Sequence, residues 1–138
     1  MKIIILLSIL FIYLNIVKSV DPPPTHSLMT LTQYNAITIK ENGVWTRTQF
    51  NVTVRNNMNI FSVLDVNIEC MDDSLHLRYP SDIKDVELVS PNVYHLPKYL
   101  REQGGLKPQS SFSFLYINEG HNPAHFGLSN IVFNESDK

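Results

Sequence analysis

The stretch that decides the fold is LTQYNAITIKENGVWTRTQFNVTVR, residues 31–55, in which two alternating segments flank Asn42-Gly43. Asn-Gly is a strong hairpin signal, because both residues tolerate the positive φ angles of a two-residue turn. One face of the second segment carries Thr48, Phe50, Val52 and Val54. The opposite face is polar apart from Trp45, which we expect to meet solvent beside Arg47. The stretch therefore predicts an antiparallel hairpin with one buried and one solvated face.

The same period of two continues beyond the hairpin and favours strands over helices. Strands are expected at residues 31–40, 44–55, 60–70, 86–88, 93–96, 112–118 and 124–133. The segment 99–103 is the one helical candidate, and it is short. Many short strands with frequent turns are typical of an all-β protein. We predict an antiparallel β-sandwich, immunoglobulin-like or jelly-roll-like, over residues 28–134.

The N-terminus predicts the compartment. Lys2 precedes residues 3–14, which are apolar apart from Ser8, and Ser19 is an acceptable cleavage position. The apolar run is shorter than the ~20 residues that span a bilayer, so a cleaved signal peptide is favoured over an uncleaved anchor. We predict a signal peptide at residues 1–19, a proline-rich lead-in at 20–27, and a secreted, extracellular protein with no membrane association after cleavage.

Charge and cysteine content limit the classes of partner that the chain is expected to bind. Of the 11 basic residues, Lys2 and Lys18 would leave with the signal peptide, so 9 basic and 13 acidic residues give a net charge of −4. That balance gives no reason to expect nucleic acid as a partner. Cys70 is the sole cysteine, so no intrachain disulfide forms. Its period-two spacing predicts a buried thiol, and an intermolecular bridge is the alternative. The oligomeric state is left open.

Polar motifs of the mature chain do not add up to a catalytic or metal site. His121 and His125 are four apart, but Pro123 between them argues against the helix that such a zinc clamp needs. Asp72 and Asp73, with Glu69 nearby, read as a solvated turn, because a calcium loop needs more oxygens at set spacing. We predict no enzyme activity, no cofactor and no metal.

Two glycosylation motifs fit a secreted protein. Asn51-Val52-Thr53 lies on the predicted solvated face of the hairpin, and Asn134-Glu135-Ser136 follows the last predicted strand. We predict glycans at Asn51 and Asn134.

Aromatic side chains are the remaining chemistry, because flat rings stack on the apolar C–H faces of sugars. Trp45 and Tyr99 are the best exposed candidates: Trp45 has polar strand neighbours, and Tyr99 follows Pro97 in a loop. Tyr79 and Tyr94 are weaker candidates, as is Tyr34, since a tyrosine is commonly half-buried with its hydroxyl at the surface. Three alternating aromatics are instead expected in the core: Phe112, Phe114 and Tyr116.

The order of several motifs resembles carbohydrate-binding module family 49, the cellulose-binding domain of some plant family-9 endoglucanases and of slime-mould secreted matrix proteins. The motifs are Gln33, Asn42-Gly43, residues 49–56, Leu96-Pro97, Tyr99, Pro108, residues 114–117 and Ala124-His125-Phe126. The resemblance covers residues 31–133 and implies a non-catalytic β-sandwich. It also implies a polysaccharide partner, cellulose or a related β-glucan, in an extracellular matrix.

The chain departs from the family where the family binds sugar. Ile39 stands where the family usually has a Trp before the hairpin turn, and residues 82–85 replace a second Trp. Tyr99 takes the third position, so the resemblance implies that Tyr99 stacks on a sugar ring, with Trp45 able to compensate for the lost rings. The alternative is a secreted protein-interaction or structural module that has lost sugar binding.

Overall fold

A computed structural model describes residues 28–137. The predicted signal peptide (residues 1–19) and the predicted lead-in (residues 20–27) lie outside the described residues. The strands are β1 (Met29–Glu41), β2 (Val44–Asn56), β3 (Val63–Cys70), β4 (Ile83–Lys84), β5 (Glu87–Ser90), β6 (Val93–His95), β7 (Ser111–Glu119) and β8 (Phe126–Phe133). The helix α1 (Lys98–Glu102) and the 3₁₀ turns Pro80–Asp82 and Glu135–Asp137 complete the described part. No helix in residues 28–137 is long and apolar enough to cross a membrane.

The strands form two four-stranded antiparallel sheets, ordered β1-β2-β7-β4 in the first and β5-β6-β3-β8 in the second. Residues from both sheets contribute to one hydrophobic core. The all-β class that the alternation predicts is therefore confirmed, in a sandwich-like arrangement. The predicted helical segment is confirmed as the five residues of α1. The two-residue strand β4 was not predicted, because so short a segment shows no periodicity.

The Asn42-Gly43 turn forms as predicted and joins β1 to β2. Asn42 has φ 49° and Gly43 has φ 81°, the left-handed pair that a tight hairpin turn requires. Both strands are 13 residues long, so this hairpin dominates the first sheet.

Gly43→Ala is expected to lower the free energy of unfolding by about 1–2 kcal/mol, because a side chain disfavours positive φ. A methyl group at Gly43 would meet no atom within 4 Å, so the cost is conformational rather than steric. Urea denaturation of the variant and the parent checks this. Asn42→Gly, which keeps the turn geometry, is the control, and a Gly43→Ala protein as stable as the parent would contradict the account.

The core is built from the aromatic alternation of β7. Tyr116 is fully buried, stacks on Phe50 at 5.3 Å between ring centroids, and meets Phe126 edge-on at 5.3 Å. Its hydroxyl donates to Gln33 Oε1 at 2.8 Å and accepts from the backbone N–H of Ala124 at 2.8 Å. Each polar atom of this buried ring is therefore paired, as burial requires. The prediction that this alternation faces the core is confirmed.

Cys70 is buried at the end of β3, as predicted, and is a free thiol. Its Sγ donates to the backbone carbonyl of Asp72 at 3.2 Å. A thiol in that position is not presented to a second chain, so the structure favours the buried thiol over the intermolecular bridge.

A β-bulge corrects the predicted side of Trp45. From Ile39 to Lys40 the pairing advances one residue along β1, whereas from Arg47 to Trp45 it advances two along β2. Thr46 is thus an extra residue, and an extra residue reverses which face the next side chains take. Trp45 therefore lies on the opposite face from Arg47, so the prediction that they share a face is wrong. Its exposure is confirmed.

Candidate functional site

The structure places the four predicted aromatic candidates in different environments. Trp45, Tyr79 and Tyr99 are exposed, at 55%, 57% and 54% of their surface. Tyr94 is only 5% exposed, because it pairs with the buried Ile68 on the inner side of the second sheet. Desolvation there raises the pKa of the Tyr94 hydroxyl above its usual value. Tyr94 thus does not present a ring to solvent, so burial speaks against this weaker sugar-binding candidate.

Trp45 borders an open depression at the turn end of the hairpin. Thr38 and His121 line the depression with it. His121 is held there by the Thr48 hydroxyl, 3.4 Å from its Nδ1. The Lys40 ammonium lies 5.3 Å from the centre of the Trp45 ring, a cation–π contact that orders the indole. An ordered, half-exposed indole beside hydroxyl and imidazole groups has the composition that stacking on a sugar requires.

An ion-pair network braces the same end of the first sheet. Glu41 binds the guanidinium groups of Arg47 and Arg78, each at 2.9 Å, and Arg78 also binds Glu119 at 2.6 Å. The contact with Arg78, followed by that with the Thr46 hydroxyl, lowers the pKa of Glu41 to about 2. Tyr79 directly follows Arg78, so the network places Tyr79 at the hairpin end that also carries Trp45.

Tyr99 lies away from Trp45, on α1, which packs against β3 of the second sheet. Leu106, shortly after α1, accepts a hydrogen bond from the side chain of Asn56 at 3.0 Å. Asn56 ends β2 and lies eleven residues after Trp45 along the strand, a span of roughly 36 Å. The structure therefore does not bring Tyr99 and Trp45 together into one platform.

The solvated face of the first sheet carries the Asn51 glycosylation motif, as predicted. Asn51 lies opposite Tyr34, and its side-chain amide donates to the Tyr34 hydroxyl at 3.1 Å. Gln49 donates to the Asn51 carbonyl at 3.1 Å. The other motif differs, because the Asn134 amide is half-buried and donates to the carbonyl of Gly104 at 3.0 Å. Glycosylation of either asparagine stays a prediction.

The model of the carbohydrate-binding domain family CBM49 matches residues 29–120, which contain strands β1 to β7 of the described fold. The chain belongs to the CBM49 family. Comparison with curated proteins and with solved structures gave no match. Membership confirms the predicted family and gives this domain a carbohydrate-binding role. A carbohydrate-binding module is a non-catalytic binding unit, which is consistent with the prediction that the chain is not an enzyme.

Within this CBM49 domain, the two positions that lack the expected Trp residues lie close to each other. Ile39 pairs with Arg47 across the hairpin, and the Arg47 guanidinium lies 3.6 Å from the Asp82 carboxylate. Both charged side chains are largely buried, at 15% and 11% exposure. An aliphatic side chain and an ion pair thus occupy the region where the resemblance places two stacking rings.

Loop residues complete the surroundings of Trp45, and their spacing in the sequence does not indicate that the two loops meet. His121 and His125 are exposed in the loop between β7 and β8, as predicted, and no cluster of three potential metal ligands occurs among the described residues. His125 Nδ1 instead donates to the Asp72 carboxylate at 2.6 Å. The backbone N–H of Ser74 donates to the same carboxylate at 2.9 Å.

These contacts predict an acid-resistant charge on Asp72. The hydrogen bond from His125, followed by those from Ser74, lowers the pKa of Asp72 from 3.8 to about 2. A lowered folded-state pKa stabilises the fold above pH 3.8, and this contribution is lost as the pH falls toward 2. A carboxyl-carbon NMR titration is expected to give a midpoint near 2, and His125→Ala to raise it. A midpoint near 3.8 in the parent would contradict the contact.

Proposed function

We propose that this CBM49 domain is a secreted, non-catalytic protein that binds cellulose or a related β-glucan in an extracellular matrix. The observation that carries the proposal is the family match over residues 29–120. The exposed indole of Trp45 supports it, because a CBM needs at least one accessible ring to bind a sugar.

Trp45 is the principal stacking residue in this proposal. A pyranose ring lies against the indole, while Thr38 and His121 in the same depression exchange hydrogen bonds with its hydroxyls. Tyr79 and Tyr99 are also exposed but lie outside this site, Tyr79 next to Asp82 on the Arg47 side and Tyr99 on α1. A stacked ring contributes on the order of 1 kcal/mol beyond area burial, so a site with few rings binds weakly.

Secretion and processing belong to the same proposal. A signal peptide at residues 1–19 is removed, residues 20–27 form a lead-in, and residues 28–134 form the immunoglobulin-like or jelly-roll-like sandwich. Glycans at Asn51 and Asn134 are the matching modifications. N-terminal sequencing of the protein secreted from a eukaryotic host is expected to begin at Val20, and a product retaining residues 1–19 would contradict this part.

The second candidate function is a protein-interaction or structural module that has lost sugar binding. The observation that favours it is the Arg47–Asp82 ion pair beside Ile39, where the resemblance places two Trp residues. A folded protein that binds no glycan on an array would favour this candidate.

Sedimentation with insoluble cellulose tests the leading function. The secreted protein is mixed with amorphous or microcrystalline cellulose, and protein in the pellet is compared with a protein-only control. We expect enrichment with amorphous cellulose at least. No enrichment in either pellet would reject the function, provided that circular dichroism of the same sample shows a folded β protein.

A further inference from the structure

A polar groove adjoins the depression that Trp45 borders. It has a volume of about 460 Å³ and is lined by the loop after β3 and the loop between β7 and β8. His121 lines both the groove and the depression, so the two adjoin at its side chain. The indole therefore stands beside a concave surface, the shape that encloses a small ligand.

A buried amide fixes the shape of the groove. Asn118 is 1% exposed, and its side-chain N–H groups donate to the carbonyls of Ser74 at 2.9 Å and Asn122 at 3.0 Å. Its carbonyl accepts from the backbone N–H of His76. Asn118, which lies in β7, thus connects both loops to that strand by hydrogen bonds. A pre-formed groove loses little conformational entropy when a ligand binds.

The chemistry of the groove suits a neutral polyhydroxyl ligand. Asp72, Asp73 and Glu119 line it, and within the described chain no lysine or arginine does. The carboxylate of Asp73 is exposed and has no hydrogen-bond partner among the described residues, so it is available to accept from a hydroxyl. An anionic ligand, such as a phosphate or a uronic acid, would be repelled by this lining.

The flat side of the molecule lacks the indole of Trp45. The solvated face of the first sheet carries Tyr34 as an exposed aromatic, and the bulge at Thr46 turns Trp45 away from that face. A crystalline cellulose surface is flat and is matched by a coplanar row of rings. A single chain can instead enter a groove and place one sugar against a ring at its end.

We propose that the groove and Trp45 together bind a single, neutral β-glucan chain, with one sugar on the indole and the next sugars along His121 and Asp73. This inference rests on the proposed function and narrows its ligand from cellulose or a related β-glucan in any form to single chains. Bound hydroxyls donate to the Asp73 carboxylate and to the free His121 nitrogen, and no covalent step is involved.

Titration calorimetry with cellohexaose tests the groove, alongside sedimentation with microcrystalline cellulose. We expect the parent to bind cellohexaose, and Asp73→Asn and His121→Ala each to weaken that binding by about five- to tenfold. Tyr34→Ala is the matched control on the flat face and is expected to leave it unchanged. Circular dichroism of each variant shows that the fold is kept.

These experiments distinguish a wrong assignment of the groove from a wrong assignment of the function. One outcome is that the parent binds microcrystalline cellulose but not cellohexaose, and that Tyr34→Ala loses this binding. That outcome would overturn the proposed groove site and keep the proposed function. Cellohexaose binding that is insensitive to Asp73→Asn and His121→Ala would also overturn the groove. A folded parent that binds neither cellohexaose nor any insoluble β-glucan would overturn both.

Discussion

Phe114→Ala is expected to lower the free energy of unfolding by about 3–5 kcal/mol, through lost burial and the cavity left behind. Phe114 is 2% exposed in the middle of β7. Its ring lies 6.2 Å from that of Phe112 and meets Phe126 edge-on at 5.8 Å, so it joins β7 of the first sheet to β8 of the second. The whole free energy of unfolding of a native domain is only about 5–15 kcal/mol, so this variant is expected to be marginally folded.

Urea denaturation measures the effect, and Tyr99→Ala is the matched control because it also removes an aromatic ring. Tyr99 is more than half exposed and has little packing to lose, so its change is expected to stay within about 0.5 kcal/mol. A Phe114→Ala protein with the unfolding midpoint of the parent would contradict the shared core of the two sheets.

Trp45→Ala is expected to weaken β-glucan binding by about tenfold, and it is the largest functional effect that we predict. The half-exposed indole is ordered by Lys40 and is the flat apolar ring of our proposed site. Removing an aromatic anchor commonly costs more than 1 kcal/mol, and 1.4 kcal/mol corresponds to tenfold in affinity. Affinity electrophoresis in gels containing soluble β-glucan measures the change.

Trp45→Phe is the control for this prediction. It keeps a flat ring at the same place and is expected to recover part of the affinity that Trp45→Ala loses. The unfolding midpoint of both variants is expected to stay near that of the parent, since Trp45 lies outside the core. Equal binding by Trp45→Ala and the parent would place the sugar elsewhere on the molecule.

The hairpin and the core could be predicted because their signals are local. Asn42-Gly43 fixes the turn by its backbone preference, and the alternation of Phe112, Phe114 and Tyr116 fixes the buried face of β7. Both signals occupy a few consecutive residues, so no knowledge of distant pairing is needed to interpret them.

The face of Trp45 could not be predicted, because it depends on one extra residue in the pairing. The bulge at Thr46 arises from the register of β2 against β1, and simple alternation through Arg47 and Gln49 carries no sign of it. The burial of Tyr94 could not be predicted for a related reason. Its strand β6 has three residues, too few for a period to show which face each side chain takes.

The groove could not be predicted either, because its two walls are far apart in sequence. Asp72 and Asp73 come from the end of β3, whereas His121 and His125 follow β7. Taken alone, the aspartate pair and the histidine pair are each typical of a solvated turn. Only the fold, tied together by Asn118, sets carboxylates and imidazoles around one concave surface beside Trp45.

Adsorption isotherms on amorphous cellulose show whether the sugar lies at Trp45. The parent, Trp45→Ala and Tyr99→Ala are compared at equal concentration, with unfolding midpoints recorded for each. We expect Tyr99→Ala to adsorb like the parent and Trp45→Ala to adsorb about tenfold more weakly. Loss of adsorption in Tyr99→Ala, with Trp45→Ala adsorbing like the parent, would contradict a sugar site at Trp45.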